Sequence, residues 1–388
     1  MLAKNEESVN KFQTLYLHLS NSKVKLAFCF NDDRIFLVAS DYNTRWPSVV
    51  MRERWAEAEI SDYKLSGVPH VVGKEDIKKF ILDLFKQKYG TEYIEKYFSH
   101  PGKIIMINLG EEKPVNDGYY SWLEEEFDGV AYNYDDHIFG NRINTFLRDR
   151  SLEFINRYLP KRSRILEIGC GTGAETMQLI RDGHEVVAAD ISSNMLSILY
   201  EKARNEKLLD NLTTLKLRAS KIDQLLKKFG DGYFDLAYST FGALNCEPSI
   251  EVVPKFLSRL LTNDGYFIAG VYNKFCLSET VIDIVTLKLN RLLWRIKNPI
   301  SEGRSRFCLD VYSFSYPEFV NLFRPFFTPV NTIGVPVLLP PSNFKRLVNG
   351  FGSRYNIVRS VDKSLSSIWP FKFLGDHFLV ALKQRQYV

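Results

Sequence analysis

Three glycines that alternate with other residues carry the clearest chemical signal in the sequence. Gly169, Gly171 and Gly173 follow the apolar run RILEI and precede a helical pattern, so they predict a tight strand-to-helix turn. Such a turn presents backbone N–H groups and a helix N-terminus to a ligand. With Ala174 the spacing also satisfies G-x-G-x-x-G/A, which alone is a weak signal for a dinucleotide. The alternative is a sharp corner without a ligand, but the pattern favours a nucleotide-like ligand.

Two carboxylates beside this turn favour a positively charged ligand. Glu167 lies two residues before the first glycine, inside a predicted buried strand, where a carboxylate is costly unless it is paired. It would also repel a pyrophosphate. Asp190 ends the next predicted strand and suits ribose hydroxyls with either kind of ligand. A ligand that carries an ammonium group and a sulfonium fits this negative setting better, although pairing of Glu167 within the core is the alternative.

The elements that position these residues alternate between strand and helix from about residue 131 onward. The predicted strands are RILEIG, EVVAAD, TLKLRA, YFDLAYS and YFIAGVY, followed late in the chain by VNTIGVPVLL and HFLVALK. Helical patterns lie between them, including 192–208 and 250–261. This alternation predicts an α/β domain, a parallel sheet with helices on both faces. Ligands of such sheets bind at the carboxyl ends of the strands.

The runs LEIGCGTG, AAD and FDLAYS resemble those of class I S-adenosylmethionine-dependent methyltransferases. The resemblance covers roughly residues 131–385 and implies a doubly wound, Rossmann-like sheet of seven strands, with HFLVALK as the last, antiparallel one. It implies S-adenosylmethionine as cofactor and an enzyme that transfers its methyl group by in-line displacement. The cofactor-binding residues implied are Tyr134, Glu167, Gly169, Cys170, Gly171, Gly173, Asp190, Ile191, Ala219, Ser220, Ser239 and Phe241.

Within this resemblance each part of the cofactor has its own contacts. Glu167 and the glycines would line the methionine part and the ribose, and Asp190 would take the ribose hydroxyls, with Ile191 against the adenine. Tyr134 belongs to a segment that covers the cofactor. The family usually places an acidic residue near the adenine amino group, but LRASKID offers Ala219 and Ser220 there instead.

The stretch YSTFGALNCEPS after the fourth strand is where such enzymes place the methyl acceptor. It lacks the Asp-Pro-Pro-Tyr run of adenine-amino methyltransferases, and Cys246 lacks the setting of a cytosine-modifying nucleophile. We expect Gly242, Asn245 and Tyr272 to line the acceptor site. No catalytic residue is identified; His137 is a weak candidate base, and a structural role for it is favoured. The acceptor is expected to be a small or hydrophobic, lipid-like metabolite.

Residues 279–297 show the spacing of one broad amphipathic helix, within a helical substrate cap predicted near 275–315. Its apolar positions include Val281, Val285, Leu289 and Leu293, and its basic stripe is Lys288, Arg291 and Arg295. Packing on the core is the favoured interpretation. Contact with an anionic membrane surface is the alternative.

Residues 1–110 are predicted to form a small, mostly-β domain, and residues 111–130 are predicted to form an acidic linker. KVKLAFCF and RIFLVAS flank the turn NDD, a second strand pair surrounds Asp62 and Tyr63, and KEDIKKFILDLFKQKY has helical spacing before Gly90. This domain weakly resembles the split-barrel flavin or deazaflavin reductases. The resemblance implies a site for FMN or a deazaflavin at Arg45, Trp46, Ser48 and Arg52. The alternatives are an oxidoreductase fused to a methyltransferase, or a barrel that serves only for docking or homodimerisation.

Composition narrows the class of protein. The 388 residues carry a net charge of +5, too mild by itself to indicate nucleic acid as a partner. The five cysteines include no Cys-x-x-Cys pair, so neither a metal site nor a disulfide framework is predicted. The polar N-terminus and the absence of long apolar runs predict neither a signal peptide nor a membrane span. We therefore expect a two-domain cytoplasmic protein.

Overall fold

The computed structural model describes residues 6–19, 22–40, 46–73, 75–99, 101–111, 118–296, 299–300 and 310–385. The chain divides into two compact units, one of Met1–Val130 with Ser301–Asp310 and the other of Ala131–Ile300 with Val311–Val388.

The first unit contains a closed barrel of six strands, in the order β1-β2-β3-β6-β5-β4. The strands are β1 (Thr14–Leu19), β2 (Ser22–Asn31), β3 (Arg34–Val38), β4 (Ala56–Ile60), β5 (Tyr63–Val71) and β6 (Ile104–Asn108). All neighbours are antiparallel, and pairing of β1 with β4 closes the barrel. Asp32 and Asp33 both adopt left-handed backbone angles, with φ of 50° and 55°, as a two-residue hairpin requires. The prediction of a small β-barrel domain is confirmed.

Among the residues that the structure describes, five helices belong to the first unit. They are α1 (Glu6–Asn10), α2 (Trp46–Glu53), α3 (Glu75–Tyr89), α4 (Thr91–Tyr97) and α5 (Gly118–Val130). Helix α5 occupies most of the predicted linker and belongs to the first unit. An acidic linker run is expected to be solvated, but here Glu126 is buried and pairs with the buried Lys103. A buried carboxylate of this kind needs a cation, and the partner lies 23 residues earlier in the chain.

The second unit is built on a seven-stranded sheet in the order β12-β13-β11-β10-β7-β8-β9. The strands are β7 (Arg164–Ile168), β8 (Glu185–Asp190), β9 (Leu212–Lys216), β10 (Phe234–Ser239), β11 (Leu261–Tyr272), β12 (Phe327–Val335) and β13 (His377–Gln384). Neighbours from β9 to β11 are parallel, whereas β13 runs antiparallel to both β11 and β12. The predicted doubly wound α/β sheet with one antiparallel strand is confirmed.

Helices cover both faces of this sheet. They are α6 (Tyr134–Phe139), α7 (Arg142–Asn156), α8 (Ala174–Arg181), α9 (Ser193–Asn205), α10 (Asp223–Phe229), α11 (Val253–Leu260), α12 (Leu277–Val285), α13 (Tyr316–Phe323), α14 (Lys345–Gly350) and α15 (Tyr355–Leu365). Two apolar cores result, one on each face. The strands are apolar on both faces for this reason. Among the described residues, no helix combines the length and the apolar composition needed to cross a bilayer.

The single helix predicted for residues 279–297 is wrong. Helix α12 ends at Val285, and two short 3₁₀ turns, Leu289–Arg291 and Trp294–Ile296, follow it. Leu287 takes a left-handed angle, with φ of 55°, and its N–H donates to the Ile284 carbonyl. The Lys288 N–H donates to the Asp283 carbonyl. These two bonds form a Schellman ending, which usually has glycine where this chain has leucine, so the sequence carried no stop signal.

Candidate active site

The turn between β7 and α8 is held by its own backbone. Gly169, Gly171 and Gly173 have φ of 78°, 54° and 76°, in the region where residues with a Cβ are strained. The N–H groups of Gly169 and Cys170 both donate to the carbonyl of Ala189, at 2.7 and 3.1 Å. These bonds tie the turn to the end of β8. The turn therefore lies at the carboxyl edge of the sheet, as the sequence predicted.

Two of the three glycines are required by close packing, and the third borders Tyr134. A Cβ on Gly169 would lie 2.2 Å from Ala243 Cβ, and one on Gly173 would lie 2.2 Å from Leu199 Cδ1. A Cβ on Gly171 would have Tyr134 Cε1 as its nearest neighbour, at 3.8 Å. A Cβ would therefore fit at Gly171 in ordinary contact with Tyr134, whereas at the other two glycines it would clash.

Asp190 is anchored at the end of β8 by two backbone donors. The N–H of Gly171 donates to one carboxylate oxygen at 2.8 Å, and the N–H of Ser192 donates to the other at 2.9 Å. The side chain is buried, and Ile191 beside it is half-buried. The Ser192 hydroxyl in turn caps α9 by accepting from the Met195 N–H. This places a fixed carboxylate against the glycine turn, as ribose hydroxyls would require.

Glu167 lies beneath the same turn, with only 2% of its surface exposed. The hydroxyl of Thr176 donates to its carboxyl group. Burial, and then the neighbouring Glu175, raise the pKa of Glu167 to about 8. The carboxyl group is therefore largely protonated at neutral pH, and a cationic ligand nearby would favour its ionised form.

Arg148 and Glu175 complete this buried polar group, and sequence reasoning missed both. Arg148 on α7 donates to Glu175, and its guanidinium lies 4.5 Å from the ring centroid of Phe241. Glu175 reads in the sequence as an ordinary acid in the first turn of a helix, which is favoured there for its charge alone. In the structure Arg148 is one of the buried residues of α7.

The segment before α7 is fastened to the glycine turn. The hydroxyl of Thr172 donates to Asp135 at 2.6 Å, and Lys202 on α9 forms an ion pair with the same carboxylate. The Lys202 ammonium also donates to the Thr172 carbonyl at 2.9 Å. Tyr134 precedes Asp135 and borders Gly171. Tyr134 is therefore brought to the turn as predicted, whereas the side chain of His137, in the same short helix, lies outside the described residues.

The loop after β9, where the sequence lacks an acidic residue, contacts the carboxylate of Glu247. The 3₁₀ turn Ala219–Lys221 follows β9, and the N–H of Ser220 donates to Glu247 at 3.0 Å. The second oxygen of Glu247 accepts from the N–H of Ser249, also at 3.0 Å. Glu247 is buried and comes from the loop after β10. Sequence reasoning sought an acid next to Ala219 and missed this one, which is distant in the chain.

The loop after β10 returns to the glycine turn. The Ser239 hydroxyl donates to the Ile168 carbonyl at 2.8 Å. Phe241 and Gly242 then have φ of 56° and 81°, so that phenylalanine occupies a strained left-handed position. Cys170, in the glycine turn, is not a nucleophile, because burial raises the pKa of its thiol well above the usual value. The predicted residues Ser239, Phe241 and Gly242 therefore meet at one edge.

Asn245 has a structural role that the sequence did not predict. Its amide nitrogen donates to the carbonyls of Tyr312 and Tyr272, at 2.6 and 3.3 Å, and its amide oxygen accepts from the N–H of Tyr272 at 2.9 Å. The side chain is fully buried. Asn245 thus fixes the end of β11 and has no amide hydrogen left for an acceptor. The ring of Tyr272 packs against Arg295, whose guanidinium lies 4.3 Å from its centroid.

The residues proposed for a flavin in the barrel do not form a described site. Arg45 lies outside the described residues, as do the side chains of Ser48 and Arg52. Trp46 begins helix α2 instead of lying in a cofactor-binding turn, and its side chain is buried. The barrel's cofactor stays a prediction. Within the described residues, no cluster of three or more histidines, cysteines or acids could hold a metal ion.

The glycine turn lies within the part of the chain that matches the sequence model of a known protein family. The sequence model of the family described as "Methyltransferase domain" matches residues 166–269, which run from β7 to β11. This range includes the glycine turn, Asp190 and the loop after β10. It lies outside the barrel.

Relatives with known names match the same kind of domain. The ubiquinone/menaquinone biosynthesis C-methyltransferase UbiE of Pectobacterium carotovorum is 32% identical over 117 residues, which are 29% of this chain and 44% of that protein. UbiE of Rhizobium rhizogenes is 27% identical over 159 residues, 39% of this chain and 59% of that protein. The sterol 4-C-methyltransferase strm-1 of Caenorhabditis elegans is 25% identical over 167 residues, 42% of this chain and 48% of that protein. The chain thus spans about half the length of these relatives.

Proposed function

We propose that this chain, whose C-terminal unit is a class I S-adenosylmethionine-dependent methyltransferase domain, is an enzyme that methylates a small or hydrophobic metabolite. The domain assignment follows from the matched family and from the seven-stranded sheet. The activity, the acceptor class and the in-line displacement are the parts proposed.

One observation carries the choice of cofactor, namely the carboxyl groups on two sides of the glycine turn. Glu167 lies beneath the turn and Asp190 accepts from its Gly171 N–H. A dinucleotide would bring a pyrophosphate to the same place, where its negative charge would oppose ionisation of Glu167, whereas Asp190 could hold the ribose hydroxyls of either ligand. S-adenosylmethionine instead brings an ammonium, a sulfonium and ribose hydroxyls, and the residues present fit all three.

The chain's own residues would act by positioning. S-adenosylmethionine supplies a methyl group on a positively charged sulfur, which an electron-rich acceptor atom can displace. Glu167 would hold the cationic end, Asp190 the ribose, and the 219–220 turn, fixed by Glu247, the adenine side. Holding two reactants in line supplies much of the rate when the acceptor is already nucleophilic.

The acceptor class is supported by the relatives and by the walls of the site. Two of the relatives are named for quinone biosynthesis and one for sterol methylation. In this chain Phe241 and Tyr272 lie at the carboxyl ends of β10 and β11. Aromatic walls of this kind suit a hydrophobic acceptor.

The test is calorimetric titration of S-adenosylmethionine into the full-length chain and its Asp190→Ala variant. We expect the variant to lose roughly 10- to 100-fold in affinity, since hydrogen bonds to a charged group are each worth about 1.5–3 kcal/mol. Asp210→Ala, which changes an exposed acid after α9, is the control and should bind like the parent. Asp190→Asn keeps one acceptor oxygen and loses the charge, so it can retain only one of the two backbone hydrogen bonds and should bind with intermediate affinity. Unchanged affinity in a folded Asp190→Ala protein would overturn the assigned site.

A further inference from the structure

Helix α12 packs with its charged side inward and its apolar side outward. Glu279 and Asp283 are buried, with 3% and 1% of their surface exposed. Val281, Ile284 and Val285 on the other side are exposed, Val285 by 76%. A helix on the surface of a water-soluble domain normally has the opposite arrangement.

Ion pairs fix this inverted arrangement. Arg295 donates to Glu279 at 2.5 Å and to Asp376 at 2.6 Å, and it is itself buried. Arg291 lies 3.2 Å from Glu279 and 3.4 Å from Asp283. Rotating α12 to bury its apolar side would separate these carboxylates from their cations, which is strongly unfavourable because each ion would remain in the interior without a partner. The apolar side is therefore held outward.

The exposed apolar surface continues beyond the helix. Leu287 is exposed by 82%, and Leu289 and Leu293 in the following turns are also exposed. We call the whole set the apolar rim: Val281, Ile284, Val285, Leu287, Leu289 and Leu293. Contiguous exposed apolar surface of this kind marks an interaction site on a soluble domain.

A second segment at the same edge of the sheet is also apolar on its surface. The end of β11 pairs with the start of β13, and the Leu277 N–H donates to the Leu374 carbonyl, so 277–296 and 336–376 leave the sheet together. Trp369 in this second segment is exposed by 75%. Its other exposed apolar residues are Leu338, Leu347, Ile357, Val361 and Ile368.

The charged residues of both segments indicate which kind of surface the segments can bind. All four acids in 275–296 and 336–376, which are Glu279, Asp283, Asp362 and Asp376, are buried. Asp362 accepts from the backbone N–H groups of 337–339 instead of facing solvent. Fully exposed charges in the described part of these segments, such as Lys288 and Arg354, are basic. Apolar side chains flanked by cations complement an anionic lipid surface.

We propose that the apolar rim and the Trp369 segment dock on the surface of an anionic lipid bilayer. The rim inserts its leucine and valine side chains below the headgroups, and Lys288 and Arg354 face the lipid phosphates. Because both segments leave the carboxyl edge of the sheet, docking would present the methyl-transfer site to an acceptor dissolved in the bilayer. This last step, the class of acceptor, rests on the proposed function; the docking does not.

The test is cosedimentation of the full-length chain with vesicles of phosphatidylcholine and phosphatidylglycerol, compared with phosphatidylcholine alone. We expect binding to the anionic vesicles that weakens at high salt. The double variant Leu287→Glu/Leu289→Glu should lose about tenfold or more in vesicle affinity, because it places two charges in the contact. Phe80→Glu, which changes an exposed apolar residue on helix α3 of the first unit, is the control and should bind like the parent.

Two measurements keep the outcomes distinct. Calorimetry with S-adenosylmethionine should give the same affinity for the double variant and the parent, so loss of docking and loss of the cofactor site are read separately. Light scattering reports whether the rim holds a second copy of the chain instead. Absence of vesicle binding, equal binding by the double variant, or a dimer that the double variant dissociates without vesicle binding would each overturn the proposal.

Discussion

Helices α8 and α12 follow parallel strands of the same sheet and end in the same way, yet they differ in what they bury. The Gly183 N–H donates to the Ile180 carbonyl at the end of α8, just as the Leu287 N–H donates to the Ile284 carbonyl at the end of α12. Helix α8 buries mostly apolar residues and keeps its polar ones for the buried group around Glu167. Helix α12 buries carboxylates and exposes its valines and isoleucine.

The comparison separates two uses of a buried carboxyl group. Under the glycine turn Glu167 is held with a raised pKa, so that a cationic ligand can change its ionisation. Under α12 the carboxylates are already matched by Arg291 and Arg295. The first arrangement suits binding, because a cationic ligand can stabilise the ionised form of Glu167. The second suits architecture, since it holds an apolar surface toward solvent.

The largest effect should come from breaking the ion-pair group under α12. Arg295→Ala leaves Glu279 and Asp376 buried without their shared cation, and we expect the free energy of unfolding to fall by about 3–5 kcal/mol. Urea denaturation followed by circular dichroism measures this. Arg259→Ala, which removes an exposed pair with Asp231, is the control and should leave the midpoint unchanged. Equal midpoints for the two variants would contradict the structural role of this group.

The Glu167 side of the comparison predicts a pH dependence of cofactor affinity. With a pKa of about 8, Glu167 must lose a proton when a cation binds beside it at lower pH. Affinity for S-adenosylmethionine should therefore rise with pH between about 5.5 and 7.5, by at most about tenfold per unit. Glu167→Gln, which cannot ionise, should bind more weakly and show a flatter slope. A parent protein whose affinity does not change over this range would place Glu167 in the core and away from the ligand.

The smallest effect concerns the helix endings. Leu287→Gly should raise stability by about 1 kcal/mol, because a residue with a Cβ pays roughly 1–2 kcal/mol in the left-handed conformation that Leu287 adopts. Thr286→Gly, one residue earlier with φ of −90°, should instead lower stability by about 0.5–1 kcal/mol. Thermal denaturation of both variants checks the pair. Stabilisation by both, or by neither, would mean that α12 does not end as described.

The sheet and the glycine turn could be predicted because their signals are local. Each strand is a short apolar run, and EVVAAD coincides with β8 at both ends. Glu167 and Asp190 stood out because they lie within or directly after such runs. The same reasoning failed where a partner is distant in the chain: Glu247 reaches Ser220 across 27 residues, and no local pattern announces it.

For helix α12 the sequence predicts the helical spacing of the apolar residues correctly, but it does not predict which side of the helix is buried. The apolar residues recur at helical spacing, but the choice of buried side depends on Asp376, which lies more than 80 residues beyond Arg295. The end of the helix was missed because leucine replaces the glycine that usually marks it. The sequence predicts Asn245 as a residue of the acceptor site and gives no sign of its backbone partners, since Tyr272 and Tyr312 lie 27 and 67 residues further along the chain.

The central claim is that the glycine turn receives a sulfonium nucleoside and not a dinucleotide. The most direct measurement is calorimetric titration of the full-length chain with S-adenosylmethionine and, separately, with NAD⁺. We predict saturable binding of S-adenosylmethionine at a single site and no heat of binding for NAD⁺. Binding of NAD⁺ without binding of S-adenosylmethionine would contradict the account, because the turn would then hold a pyrophosphate beside Glu167 instead of the cationic ligand that favours the ionised form of this carboxyl group.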